Sequence, residues 1–182
     1  MKYFKIIIIP ILLIVFLSIS CERDDICPGS TPTTPRVIID MLDFETQETS
    51  KNVFGLVVAG IREGGNLVLP GYNIVTTNQL VLPLKTDENT TQYILHKEYI
   101  FDDNDTPDDT TDDIIGGNQD IITINYSREE VYVSRACGYK TIFKNVTITI
   151  EDDGDRWLLS QQPLNPNQSV EDETTTHFNI FH

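Results

Sequence analysis

In KNVTITIEDDGDRWLLSQ, residues 144–161, apolar and polar side chains alternate with a period of two. Val146, Ile148 and Ile150 fall on one face, and Asn145, Thr147 and Thr149 on the other, as in a half-buried strand. Asp153-Gly154 supplies a pair suited to the positive φ of a tight turn. Arg156 to Gln161 is therefore expected to return as the second strand of a hairpin, with Trp157 and Leu159 on one face. The same period extends to either side. Towards the C-terminus a last strand is expected over Thr175–Phe181. Upstream, Val131–Ala136 and Asp120–Tyr126 read as strands, the latter placing Ile122, Ile124 and Tyr126 together.

Further back, Thr91–Phe101 alternates with aromatics, and Gln79–Lys85 puts Leu80, Leu82 and Leu84 on one face. Pro83 marks that strand as an edge or a bulge. Val53–Ile61 is an almost unbroken apolar run, which suits a central strand, and Val37–Phe44 is apolar and β-branched. No window carries a sustained 3.6-residue period with caps. Many short strands separated by turn signals predict an all-β chain, an antiparallel β-sandwich of immunoglobulin-like or similar type over residues 37–182.

The N-terminus follows different rules. Lys2 and Lys5 precede an apolar run, Ile6–Ile19, which ends in Leu17-Ser18-Ile19-Ser20-Cys21. Charge, then a short greasy helix, then small residues, is the layout of a secretory signal peptide. The run is shorter than the roughly 20 residues a membrane span needs, and Pro10 interrupts it. A cysteine directly after the small residues points to a bacterial lipoprotein signal over 1–20, with cleavage before Cys21 and acylation of its thiol. Ser18 stands where the common signal has leucine, with Leu17 one place further back. Residues 21–36 hold three prolines and read as an extended tether.

Removing residues 1–20 leaves 162 of 182 residues, enough for one domain with a real core. The basic count falls from 13 to 11 against 28 acidic residues, a net charge of −17. Such a balance excludes nucleic acid, whose binders carry basic footprints, and excludes adhesion to anionic lipid through charge. Attachment to a membrane must then come from the lipid on Cys21. Cys27 and Cys137 remain as an even pair. In an oxidising compartment they read as a disulfide, the alternative being two buried free thiols.

Residues 102–119, DDNDTPDDTTDDIIGGNQ, hold seven aspartates and read as a long exposed loop. Asp102, Asp103, Asp105, Asp108 and Asp109 are the calcium candidates, since dense oxygen ligands suit hard cations. The sixth and twelfth places from Asp102, where a helix–loop–helix calcium site needs Gly and Glu, hold Pro107 and Asp113. The competing reading is a solvated acidic run.

Catalysis has little support. His96, His177 and His182 lie in no H-E-x-x-H, and neither a G-x-S-x-G nor a P-loop occurs. No cofactor is implied, and the chain reads as a non-enzyme. The basic residues gather in YSREEVYVSRACGYKTIFK, where Arg128, Arg135, Lys140 and Lys144 interleave with Tyr126, Tyr132 and Tyr139. Tyrosine and arginine dominate recognition surfaces, so Arg128, Arg135, Tyr132, Tyr139 and Lys140 are the candidate partner-binding residues. The alternative is that the cations pair internally with the excess of carboxylates.

CERDDIC at 21–27, TPTTPR at 31–36, LPLKTD at 82–87 and YVSRACGYKTIF at 132–143 resemble segments of a family of short flavobacterial lipoproteins of unknown function. INYSREE at 124–130 and HFNIF at 177–181 match more loosely. The resemblance implies a lipid-anchored envelope protein in which Cys27 and Cys137 recur as a pair, and it carries no assigned activity. The aspartate-rich insert is longer than that pattern. Glu22, Asp24 and Asp25 resemble the acidic export tag of surface lipoproteins. The expectation is an exported, outer-membrane protein on the periplasmic or cell-surface face, serving as a binding or structural component towards a glycan or an envelope protein. An envelope hydrolase with an unrecognised carboxylate or metal site is the alternative.

Overall fold

The computed structural model describes residues 26–31, 33–106, 108, 111 and 113–182. The segment expected to be a signal peptide, Cys21 and Asp109 lie outside them. The chain forms two compact units. The smaller combines described residues 26–31 with 132–139; the larger holds the described residues of 32–131 and of 140–182. The segment expected to be a tether thus contributes Cys27 to one unit and residues 33–36 to the other.

Among the described residues ten strands form the scaffold: β1 (Val37–Leu42), β2 (Val53–Gly60), β3 (Leu67–Val68), β4 (Val75–Thr77), β5 (Gln79–Leu82), β6 (Thr90–Asp102), β7 (Ile114–Ser134), β8 (Gly138–Ile150), β9 (Ser160–Pro163) and β10 (Phe178–Phe181). They build two sheets, β5-β1-β10-β9 and β3-β2-β6-β7-β8, with β4 also paired to β2. The arrangement is the expected sandwich. Its one parallel pairing joins β1 to β10, with Ile39 opposite Phe178 and Met41 opposite Ile180. Pro83 does follow an edge strand, because β5 has only β1 as a neighbour.

Alternation explains the core. Val37, Ile39, Met41, Leu80, Leu82, Phe178 and Ile180 come from the first sheet. Leu56, Val58, Tyr93, Leu95, Ile122, Ile124, Val146 and Ile148 come from the second, and all are buried in one cluster. Each such side chain contributes about 1.5–3 kcal/mol on burial.

Two expectations are corrected. Residues 144–161 do not form a hairpin. β8 lies beside β7, whereas β9 pairs with β10 in the other sheet. Residues 151–159 cross from one sheet to the other, turning at Gly154 (φ 87°) with Asp152 and Asp153 accepting from Gly154 N (3.3 Å) and Asp155 N (2.9 Å). Trp157 and Leu158 are the buried pair, while Leu159 is 43% exposed. A buried carboxylate decides this. Asp120 Oδ2 accepts from Trp157 N at 3.0 Å and Leu158 N at 2.7 Å, and Trp157 Nε1 donates to Leu95 O at 3.3 Å.

Asp120 is 1% exposed, its other oxygen has no hydrogen-bond partner among the described residues, and burial pushes its pKa upward. Asp120→Ala orphans two buried N–H groups, each costing about 1–3 kcal/mol. A loss of about 2–4 kcal/mol in urea unfolding is expected, and Asp120→Asn, which keeps an acceptor, should lose much less. Equal losses would show that the two bonds do not hold the crossover.

The second correction concerns the aspartate-rich loop. It spans only residues 103–113, because β6 continues to Asp102 and β7 begins at Ile114. Asp102 pairs with Ile114, Phe101 with Ile115 and Ile100 with Gly116. β7 also runs without interruption through Ser127–Glu130, so the two strands expected over 120–136 are one. A bulge between Lys97 and Ile100 sets two β6 residues against one of β7. Positive φ values line up across three neighbouring strands there: Gly55 (57°), Glu98 (53°) and Gly117 (99°). A Cβ on Gly55 would stand 3.2 Å from Glu98 Cα. His96, buried, donates from Nε2 to Gly116 O at 2.9 Å, which closes the bulge from the side.

The candidate partner-binding tip

β7 and β8 meet in the turn Arg135-Ala136-Cys137, followed by Gly138 at φ 68°. A three-residue turn closed by a left-handed glycine is a favoured hairpin geometry. Ser134 Oγ accepts from Cys137 N at 3.0 Å. Cys27 and Cys137 are bonded, with S–S 2.02 Å and Cα–Cα 4.9 Å across a separation of 110 residues. The expected disulfide therefore joins residues 26–31 to the hairpin tip and completes the smaller unit.

Tyr132 and Tyr139 stand across this hairpin, edge to face, with ring centroids 5.5 Å apart and planes at 69°. They remain 57% and 66% exposed. Beside them lies a cleft of about 570 Å³ lined by Ile26, Pro28, Thr31, Tyr132 and Ser134–Ala136. Ile26 is 80% exposed. Arg135 lines the cleft and is itself engaged in an interaction. The tip thus offers two fixed aromatic faces, an apolar side chain and a guanidinium.

The other predicted cations behave differently. In the larger unit, Arg128 donates from Nε to Asn89 Oδ1 at 2.8 Å and from Nη1 to Thr86 O. Lys140 Nζ donates to Glu171 O at 3.0 Å, and Lys144 forms an ion pair with the Glu171 carboxylate, which holds Glu171 below the usual carboxylate range. All three are engaged within the larger unit, but only Lys144 pairs with a carboxylate, whereas Arg128 and Lys140 donate to neutral oxygens. Tyr126 is buried, sharing a 2.6 Å hydrogen bond with Thr91 Oγ1 and donating to Lys85 O at 2.9 Å.

Of the calcium candidates, Asp102 and Asp103 accept from the backbone of their own turn, at Asn104 N (3.0 Å) and Asp105 N (3.3 Å). Among the described residues no three His, Cys, Asp or Glu side chains gather as metal ligands. Asp109 lies outside those residues.

His177 is 3% exposed, and Ile38 N donates to its Nδ1 at 3.0 Å, so the ring is neutral with its proton on Nε2. Burial lowers its pKa, and burial lowers that of His182 too. A depressed histidine supports the fold above the unfolded value of about 6.5, and that support is lost as pH falls below it. Unfolding free energy should therefore decline below about pH 6.5, by at most about 1.4 kcal/mol per pH unit for each histidine. Asp120, with a raised pKa, acts with the opposite sign. His177→Gln isolates the contribution: its stability profile should be flatter between pH 6.5 and 5.5. An unchanged slope would remove His177 from the account.

Sequence reasoning missed Asp120 and the cleft. Asp120 had one signal, a lone carboxylate opening the apolar run Ile121-Ile122-Thr123-Ile124. Of the cleft's lining, Tyr132 and Arg135 were among the candidates, whereas Ile26, Pro28 and Thr31 had no signal beyond their nearness to Cys27.

The profile of a family of unknown function, DUF6452, matches residues 55–182. The chain belongs to that family. The match begins within β2 and includes the tyrosine tip and Cys137, whereas Cys27 precedes it. Comparison of this DUF6452 member with curated proteins and with solved structures returned no match.

Proposed function

We propose that this DUF6452 member is a lipid-anchored envelope protein whose disulfide-pinned hairpin tip docks a glycan or another envelope protein, without catalysing a reaction. The observation that carries the reading is the exposed Tyr132–Tyr139 pair. Tyrosine has only two side-chain torsions and so gives up little conformational entropy on contact, and such side chains anchor interfaces. Anchoring rests on the layout of residues 1–21, and charge excludes nucleic acid as the partner. Two or three acyl chains at about 0.8 kcal/mol per buried CH₂ hold a protein firmly to a membrane. The acidic residues behind Cys21 favour display at the cell surface.

Two measurements test this. A photo-crosslinking residue at position 139 should give a discrete adduct in living cells, one at the exposed Glu48 should not, and Tyr132→Ala should weaken the adduct at 139. Adducts equal at both positions, or indifferent to Tyr132, would refute docking at the tip. Cys21→Ser should release the protein from sedimented membranes, and continued sedimentation would refute the anchor.

A further inference from the structure

The larger unit carries a separate groove. Its floor is Tyr93 and Leu84, both buried, with Leu69 packed against the core. Leu67, 51% exposed, forms one wall. The volume is about 310 Å³, room for roughly ten heavy-atom groups at about 30 Å³ each. Gly60 lines the groove as well. A Cβ there would meet Tyr93 Cε1 at 3.6 Å and Leu69 Cδ1 at 3.7 Å, ordinary contact distances, without the positive φ that would forbid a side chain.

Two cations stand at the rim of this apolar floor, in a chain where acidic residues outnumber basic ones 28 to 13. Arg62 Nε donates to Gly65 O at 3.3 Å, which leaves its two terminal nitrogens without a hydrogen-bond partner among the described residues. Lys85 is steadied by Glu88 at 3.0 Å. An apolar cleft with a few convergent polar groups is the usual form of a small-ligand site. We infer that the groove binds a single-chain anionic amphiphile, simplest as a carboxylate of about ten carbons, with its chain over Leu84 and Tyr93 and its head group on Arg62. This site is independent of the tyrosine tip, and it stands or falls without it.

The test is methyl NMR of the exported chain carrying Cys21→Ser, titrated with decanoate and with decyltrimethylammonium. Decanoate should shift the Leu67, Leu69 and Leu84 methyls saturably, at a concentration at least threefold lower than the cation needs. Unspecific attraction to so acidic a protein would favour the cation, so the order of affinity is diagnostic. Arg62→Gln should abolish the preference, and Gly60→Val should weaken decanoate at least tenfold while Tm stays within a few degrees. If Gly60→Val does not fold, Leu67→Glu on the exposed wall serves in its place. Equal or tighter binding of the cation, absence of a saturable shift, or unchanged affinity in a folded groove variant would overturn the inference.

Discussion

Gly117→Ala is expected to cost about 2–6 kcal/mol, a large part of a typical domain's stability. A Cβ at this position would lie 2.4 Å from Lys97 O, 2.7 Å from Glu98 O and 2.8 Å from His96 Nε2. Two of those atoms are backbone, fixed by the β6–β7 ladder on either side of the bulge. Neither can rotate away as a side-chain end would. The φ of 99° adds a second penalty, because alanine does not adopt it freely. Backbone strain of about 1–3 kcal/mol and overpacking of about 1–3 kcal/mol together give the estimate. Thermal unfolding of the variant checks it. Gly116→Ala is the control: there a Cβ meets the Ile100 side chain, Cβ at 3.4 Å and Cδ1 at 3.9 Å, with no positive φ. Comparable losses in the two variants would mean that the bulge does not depend on a glycine.

Removing the Cys27–Cys137 bridge should have an effect of similar size. The bond closes a separation of 110 residues. In the chain-entropy account, freeing a loop of that size in the unfolded ensemble costs about 4–5 kcal/mol. The double variant Cys27→Ser/Cys137→Ser should unfold at a markedly lower urea concentration. Its m-value should rise, because the unfolded chain expands once the loop is open. A loss below about 1 kcal/mol with an unchanged m-value would show that the bridge does not restrict the unfolded chain. The variant also probes the proposed function. The Tyr132–Tyr139 platform and its cleft belong to the unit this bond completes. A fold that survives without the bridge, yet no longer crosslinks at position 139, would place the bond in the service of docking.

Much of the scaffold was legible because a half-buried sheet imposes a period of two. Leu80, Leu82 and Leu84, and Ile122, Ile124 and Tyr126, could be assigned to the core from spacing alone, and all six are buried. Pro83 lacks an N–H and so marked an edge or a bulge, and the strand before it lies at an edge. The return of the chain after Gly154 was misread for an equally physical reason. A tight turn and an apolar segment are compatible with a hairpin and with a crossover, and local sequence does not distinguish them. The choice was made by Asp120, more than thirty residues upstream, whose carboxylate captures the Trp157 and Leu158 amides. The extent of the aspartate-rich loop was misjudged because Ile114–Gln119 lacks a buried face. Pairing with β6 makes it a strand all the same.

The sequence by itself determined the strand class, the core-facing residues of the regular strands, the acidic balance and the candidate lipid-bearing cysteine, since each follows from residue type or from spacing along the chain. Only the tertiary structure decided which cations were already paired, which tyrosines stayed exposed, and that Gly60 and Tyr93 line one groove. Those outcomes depend on contacts between residues far apart in the chain, and local periodicity carries no record of them.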